Sequence, residues 1–374
     1  MPPQVLLVED QQKWDQFIKS SASFGLLQSW GWGQFKQSMG WKVFRVAVME
    51  DGAIQSSAQL LIKSLPGKIT GFAYIPRGPL TDWSDKETTS LLLEKIHQIA
   101  RQEHAVFLKI EPPLPVESCG AALVQEYHFK QSPVTNQPRN TIIIDIRPDP
   151  EELLAQMRQK TRQYIRRAGR EGITVRYGGE SDLQSFIQLM KSTGKRVGFP
   201  VRSRRYYSHE FAALNIENQF VLLLAEKEGK LLAARTVHAF GGHAAEFHAG
   251  SVENADNLHP NYLLVWEGIL WARRMGCTSY DMWGIPDEIQ NGHAEENGNG
   301  NGHDDQPNPD RVDGLWGVYR FKRGFSSNVV SFAGAFDYVY SPVPYFFYAT
   351  RLLNRESVEK IAIWTESLKK NNGH

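Results

Sequence analysis

The spacing of apolar positions changes period several times along the chain. Leu27 to Met39 reads as a helix, and Val43, Ala47 and Val48 then mark a strand that breaks at Glu50-Asp51-Gly52, a turn signal. A second strand runs through Ile62, and Lys68 to Ile75 forms a third, closed by Pro76-Arg77-Gly78-Pro79. Asp85 to Gln102 has the pattern of an amphipathic helix, and Val106 to Ile110 that of a buried strand. The same order then returns. Helix Leu183 to Thr193 precedes strands Phe220 to Ala225, Leu231 to Ala239 and Ala244 to Ser251. Pro260 to Met275 reads as a helix with Pro at its start and Gly276 beyond its end, and Thr278 to Trp283 as a strand. The recurrence predicts two copies of one mixed α/β unit: an antiparallel meander, a crossover helix, and a further strand parallel to its neighbour. The alternative is coincidence, because helices and strands alternate in many α/β chains.

Two segments stand outside this repeat. Glu151 to Arg170 reads as one helix, with Leu153, Leu154, Met157, Tyr164, Ile165 and Ala168 at near-helical spacing and a strongly basic opposite face. Residues 287–313 are dominated by Gly, Asn, Asp, Glu and Pro; they hold too few apolar residues to fold and are expected to form a mobile, disordered loop.

At 374 residues the chain exceeds the usual single-domain size, and two domains are expected. Forty-two basic residues against 41 acidic leave a net charge of +1, so a polyanion has to be met by a local patch. Cys119 and Cys277 supply neither a disulfide framework nor a four-cysteine zinc site, as a reducing cytosol would suit. The start of the chain lacks a basic segment leading into an apolar one, and apolar runs such as Phe220 to Ala225 are far short of the roughly 20 residues that cross a bilayer. A cytoplasmic protein without a transmembrane segment is expected, free to touch a membrane peripherally.

The candidate chemistry is spread along the chain. Trp30-Gly31-Trp32-Gly33-Gln34-Phe35-Lys36 puts Lys36 on a helix anchored by aromatic neighbours, where it would hold a phosphate or carboxylate, or else be solvated surface. Lys195, Arg196, Arg202, Arg204 and Arg205, followed by Tyr206 and Tyr207, form a basic and aromatic cluster whose forks and hydroxyls suit phosphate or carboxylate; a solvated loop is the alternative. Arg158, Lys160, Arg162, Arg166, Arg167, Arg170 and Arg176 face a single acid, Glu171, and suit an RNA backbone or another polyanion, without sequence specificity. His259-Pro260-Asn261-Tyr262 opens a helix where Tyr262 either donates to an anion or simply packs. Gly314 to Phe325 alternates aromatic and basic residues; Lys322 is its catalytic or phosphate-binding candidate, and an ordinary strand and turn is the alternative. No G-x-x-x-x-G-K-[ST], H-E-x-x-H, paired C-x-x-C or G-x-S-x-G segment exists. His293 and His303 lie in the expected loop and suggest a soluble linker more than a metal site.

Four ordered segments together resemble the Fem family of peptidoglycan interpeptide-bridge aminoacyltransferases. They are Trp30 to Lys36, Tyr74-Ile75-Pro76-Arg77-Gly78-Pro79, Lys160 through Arg167 to Ile173, and Tyr280-Asp281-Met282-Trp283-Gly284-Ile285 with the later Tyr319-Arg320-Phe321-Lys322. The resemblance implies an α/β protein of two N-acetyltransferase-like (GNAT) domains, each a mixed, mostly antiparallel sheet flanked by helices. Their expected ranges are 1–147 plus 340–374, and 148–339. It also implies transfer of an amino acid from aminoacyl-tRNA to the peptide of a UDP-linked or lipid-linked muropeptide precursor, with no cofactor and no metal. Lys36, Arg202, Tyr206 (or Tyr207) and Tyr262 match the family's substrate-binding positions and Lys322 its catalytic one, and Arg158, Arg162, Arg166 and Arg170 are the candidate tRNA contacts. The chain departs from family members that carry a long helical arm, since it has no coiled-coil heptads.

The chemistry is coherent with these residue types. An aminoacyl ester is already activated, so aminolysis needs proximity, a deprotonated amine and stabilisation of an oxyanion, and neither a serine nucleophile nor a metal. An acyl-CoA-dependent N-acyltransferase is the second reading, although Arg166-Arg167-Ala168-Gly169-Arg170-Glu171-Gly172 misses the usual pyrophosphate-cradle spacing by one residue. A non-catalytic module that binds precursor or RNA is the third.

Overall fold

The computed structural model describes residues 2–20, 25–64, 70–198, 200–215, 219–253, 255–289 and 315–349. The elements in chain order are β1 (Gln4–Leu7), α1 (Gln11–Ser20), α2 (Trp30–Ser38), β2 (Lys42–Glu50), β3 (Ala53–Ser64), β4 (Gly71–Ile75), α3 (Lys86–Gln102), β5 (Ala105–Ile110), α4 (Val116–Gln125), β6 (Lys130–Gln131), β7 (Asn140–Asp145), α5 (Pro150–Gln156) and α6 (Gln159–Arg170). They continue as β8 (Thr174–Gly178), α7 (Leu183–Val197), α8 (Arg204–Leu214), β9 (Phe220–Lys227), β10 (Lys230–Phe240), β11 (His243–Ser251), α9 (Pro260–Arg274), β12 (Ser279–Ile285), α10 (Leu315–Lys322), β13 (Val329–Ser331), β14 (Phe336–Val339) and α11 (Pro342–Ala349).

The chain divides into two compact units, Met1–Gln137 with Ser208–Ile216 and Phe332–His374, and Pro138–Tyr207 with Glu217–Ser331. Each is built on one mixed sheet flanked by helices, in the strand orders β1-β2-β3-β4-β5-β14-β6 and β13-β7-β12-β11-β10-β9-β8. The expected repeat is present in both: β2, β3 and β4 form an antiparallel meander and β4 pairs parallel to β5, while β9, β10 and β11 do the same before β11 pairs parallel to β12. The expected ranges differ at three places, one of them Ser208–Ile216, which groups with the first unit. β7 pairs with β12 and β13 and so falls in the second unit, while β14 pairs with β5 and β6 and falls in the first.

Residues 56–62 of β3 are buried without interruption, which requires cover on both faces of the sheet. Val46 and Val48 of β2 pack with Leu92, Leu93 and Ile96 of α3. Arg45, the residue before Val46, points the other way and donates to Trp30 O of α2 at 3.1 Å. Asp85 caps α3 by accepting the Thr88 N–H at 3.0 Å. In the second unit α9 is apolar almost all round because it lies between the sheet and α6, against β9, β10 and β11. α7 covers the opposite face, where Gly250 of β11 lets the strand approach the Leu189 backbone so closely that a Cβ would lie 3.1 Å from it.

One expectation is corrected and one alternative is set aside. The single helix over 151–170 is two, α5 and α6, because Met157 turns extended (ψ 157°) and is buried in the core, and Arg158 donates its N–H to Gly324 O at 2.9 Å. The stretch around Lys322 is helical, not strand and turn: α10 packs its buried face of Tyr319 and Lys322 inward. Of the expected 287–313 loop, all but 287–289 lies outside the described residues.

The first unit buries an ion pair between Lys109 and Asp337 (3.0 Å, 2% and 0% exposed), which joins β5 to β14. Lys109→Met leaves the buried Asp337 carboxylate without its cation, held by the hydroxyls of Ser132 (2.6 Å) and Tyr345 (2.9 Å), and is expected to cost about 3–5 kcal/mol. Urea denaturation of the wild type and variant measures this, and a loss below about 1 kcal/mol would show that Asp337 finds other compensation.

Candidate active site

Ionisable groups inside an apolar sheet need partners, because unpaired burial costs several kcal/mol. β10 and β11 bury one oppositely charged pair, Arg235 and Glu246, 5% and 4% exposed: Arg235 Nη1 donates to Glu246 Oε2. Tyr280 of β12 donates its hydroxyl to the same oxygen at 3.2 Å. Gly268 on α9 makes room for it, since a Cβ there would lie 2.7 Å from the Tyr280 hydroxyl. The Phe321 ring closes over the Arg235 guanidinium at 5.8 Å.

Lys322, at the end of α10, reaches this buried cluster. Its Nζ donates to Trp283 O at 3.0 Å and Gly284 O at 2.9 Å, and the side chain is 8% exposed. An ammonium has three donors. The third finds no protein partner among the described residues. Burial pushes Lys322 down to about 8; Glu246 opposes that fall, Arg235 adds to it, and Asp281 opposes it. The group therefore remains mostly charged at neutral pH while sitting out of water.

The two carbonyls face Lys322 because β12 is bent there. Asp281 accepts the Trp283 N–H at 2.6 Å and the Thr141 hydroxyl from β7, and the β12–β7 register slips between Asp281 and Gly284. Trp283 is held at φ 62°, an uncommon conformation for a side chain of its size. The bend also ends the parallel pairing of β11 with β12 at Ala245↔Asp281, although both strands continue. Phe247 and Trp283, with ring centroids 4.4 Å apart, lie across the opening. In the first unit the corresponding pair β4–β5 slips between Gly71 and Ala73 but then stays paired to Ile75↔Ile110, the last residue of each strand.

The residues singled out from the sequence fall at several places. Tyr262, on the first turn of α9, packs against Phe321 (4.8 Å) and Phe325 (5.8 Å), which flank Lys322 in sequence. Arg202 lies 5.4 Å over the Tyr206 ring, and Tyr206 and Tyr207 both meet His248 of β11, at 6.1 and 5.1 Å. Tyr207 is 2% exposed and packs edge-on against Phe186, whereas Tyr206 is half-buried and better able to meet a ligand. Lys36 belongs to the first unit; its ammonium sits over Trp32 and Phe35 at 4.5 and 4.6 Å, fixed by the aromatic neighbours as expected of its helix. Gly33 is required there because a Cβ would run into Gln59 and Arg45.

On α6, Arg158, Arg166 and Arg170 are exposed, but Arg162 folds back to donate to Ala155 O at 3.0 Å and to Met157 O, capping α5. The 166–172 stretch is no phosphate cradle: the N–H groups of Glu171, Gly172 and Ile173 are spent on Arg167, Gly169 and Ala168. Cys277 is buried, its thiol pushed up to about 11 by burial, and so makes a poor nucleophile. Among the described residues no group of three or more His, Cys, Asp or Glu is placed to hold a metal ion, and no helix is long and apolar enough to cross a membrane.

The arrangement is a buried ammonium with one spare donor, beside an opening between two strands and without an activated nucleophile. It is suited to stabilising a developing oxyanion. Sequence reasoning reached Lys322, and Asp281 only as part of a family-like segment, but not Arg235 or Glu246, although a charge in a largely apolar strand is a readable signal. A direct NMR titration of the Lys322 ammonium is expected to give a midpoint near 8. Glu246→Gln removes a charge that favours the protonated form, so the midpoint moves down; an unchanged midpoint would remove Glu246 from the cluster's electrostatics.

Comparison with known proteins adds the following. The FemAB family profile matches residues 10–227 and 208–352. A lipid II:glycine glycyltransferase of Staphylococcus aureus (strain MRSA252) is 35% identical over 228 residues, 59% of this chain and 54% of that protein. The chain thus spans about half the length of the curated relatives it matches. The crystal structure of FemX superposes with a TM-score of 0.79 at 24% identity, covering 92% of this chain and 99% of that one. A tandem GNAT protein from the clavulanic acid biosynthesis pathway superposes with a TM-score of 0.52 at 11% identity, covering 90% and 98%. Both share the fold of this chain.

Proposed function

This chain belongs to the FemAB family, and on that premise we propose that it is a cytoplasmic, amide-forming aminoacyltransferase that extends the peptide of a peptidoglycan precursor. The donor in this proposal is aminoacyl-tRNA. The relatives named for lipid II and glycine favour a lipid-linked acceptor and a glycyl group, met at a membrane surface, over a UDP-linked acceptor. The observation that carries the proposal is the spare N–H of buried Lys322 beside the opening between β11 and β12.

In the reaction the acceptor amine, having lost a proton, attacks the ester carbonyl carbon. The carbonyl oxygen takes up the negative charge, to which Lys322 donates its third N–H. Collapse breaks the ester C–O bond and the ribose hydroxyl leaves with a proton. Because the ester is activated, positioning and charge stabilisation supply most of the acceleration. In this reading Arg202 and Tyr206 bind the phosphate or peptide end of the precursor and Tyr262 packs beside Lys322, while Lys36 keeps on the first unit the anion-binding role that the family resemblance gives it. Arg158, Arg166 and Arg170 meet the RNA; Arg162, committed to α5, contributes by holding the helix start.

The test incubates the purified protein with charged tRNA pools and with both precursor forms, and looks by mass spectrometry for a precursor heavier by one amino-acid residue. Acylation from acyl-CoA and none from charged RNA would overturn the proposal. Lys322→Ala is expected to lower the transfer rate about 10²–10³-fold, the typical cost of one oxyanion donor. Since Lys322 is charged below its midpoint, transfer falls as pH rises through about 8. In Glu246→Gln that descending limb moves to lower pH.

A further inference from the structure

α11 has two faces of opposite kind. Its inner face, Tyr345, Tyr348 and Ala349, packs against Val106 and Phe107 of β5. The Tyr345 ring meets Phe107 edge-on at 5.6 Å, Tyr348 lies against the same ring at 4.6 Å, and the Tyr345 hydroxyl donates to Asp337 at 2.9 Å. Val343, Phe346 and Phe347, related as i, i+3 and i+4, fall together on the opposite side at 70%, 61% and 48% exposure. The helix is fastened by one face and holds large apolar side chains outward with the other.

The outer face is small, uncharged and without hydrogen-bonding side chains, and residues 338–349 contain no Asp, Glu, Lys or Arg. A stable protein interface buries about 800 Å² per partner and makes about one hydrogen bond per 100–200 Å². At about 200 Å² for a phenylalanine side chain, the three residues expose only about 300 Å², too little to hold a second copy of the chain. A bilayer needs neither the area nor the bonds, since acyl chains take up apolar side chains without hydrogen bonding. The charges that border the helix are basic. Lys130 of β6 is exposed with its ammonium 5.0 Å over the Tyr345 ring, and the exposed Arg101 lies 5.2 Å over Tyr340, just before α11. Residues 350–374, next in the sequence, hold five Lys or Arg against three Glu. An apolar wedge bordered by cations complements acyl chains and anionic headgroups.

We infer that α11 docks the protein on an anionic lipid bilayer, with Val343, Phe346 and Phe347 inserted at the boundary of headgroups and acyl chains and Lys130 among the headgroups. With eight residues α11 is far too short to span a bilayer, so the contact is peripheral. Its inner face gives the wedge a firm base, because Tyr345 is tied to both Phe107 and Asp337. The inference goes beyond the proposed transfer reaction, and its test needs neither donor nor acceptor.

The test is flotation of the full chain with phosphatidylcholine vesicles, with and without phosphatidylglycerol. The wild type is expected to float, and more strongly when phosphatidylglycerol is present. Val343→Ser with Phe347→Ser is expected to lower the partition coefficient about ten-fold or more on both vesicles. Lys130→Gln is expected to lower it about five-fold on the anionic vesicles and to leave the neutral ones unchanged. Val197→Ser, the same kind of change at a residue of α7 that is 43% exposed, leaves both unchanged. Since the altered residues are exposed, the double variant is expected to unfold at the wild-type temperature. A wild type that does not float, or a double variant that floats as well as the wild type, overturns the inference. A double variant that unfolds at lower temperature or fails to fold shows that the chain's own residues 350–374 occupy this face. A wild-type dimer that the double variant turns into a monomer in sedimentation velocity shows a second copy there, and either result also overturns the inference. Flotation as expected by a protein that transfers no amino acid leaves the docking in place and removes the aminoacyltransferase; transfer by a protein that does not float does the reverse.

Discussion

The Asp281 carboxylate accepts the Trp283 N–H at 2.6 Å, and with that bond a bulky residue is held in the left-handed region of backbone space. Left-handed conformations of non-glycine residues are costly by about 1–2 kcal/mol, so the surrounding contacts have to hold it there. Two consequences come from the same bend. Trp283 O and Gly284 O accept from Lys322, and the pairing of β12 with β11 ends. The charged lysine is tolerated inside the protein because those carbonyls, Glu246 and Asp281 offset its lost hydration.

The first unit shows what the same topology does without that bend. Its parallel pair β4–β5 shifts register early, between Gly71 and Ala73, but stays paired to the strand ends, and the next residue, Glu111, donates its N–H to Ile75 O. The Glu111 carboxylate is then satisfied internally by the N–H groups of Asn136 and Gln137 and by the Tyr74 hydroxyl. A network of that kind, with its acceptors filled, stiffens a core and leaves little with which to bind a ligand. In the second unit the cluster keeps a donor in reserve.

Much of the architecture is legible in the sequence because periodicity reports burial. The six repeated elements of each unit stand out for that reason, and Asp85 and Pro260 mark helix starts with local chemistry. β7 and β14 are short, and their place depends on partners more than a hundred residues away, which no local pattern carries. The break between α5 and α6 is equally a tertiary matter, since it depends on the Arg158 bond to Gly324. At the site, Lys322 stands out beside aromatic residues, whereas Glu246 and Arg235 become meaningful only when adjacent strands bring them together. Arg162 shows the reverse: a basic residue on a basic helix looks like surface, yet its guanidinium belongs to the carbonyls of α5.

The sheet of the first unit places β14 between β5 and β6, so Gln131 waits for a partner 204 residues further along to supply the Ala335 carbonyl. At a ribosomal rate of about 5–20 residues per second, that separation corresponds to roughly 10–40 s. During synthesis β5 therefore presents an unpaired apolar edge while the whole second unit emerges. The ion pair of Lys109 with Asp337 forms only when the late strand arrives, so an earlier strand is closed by one made much later.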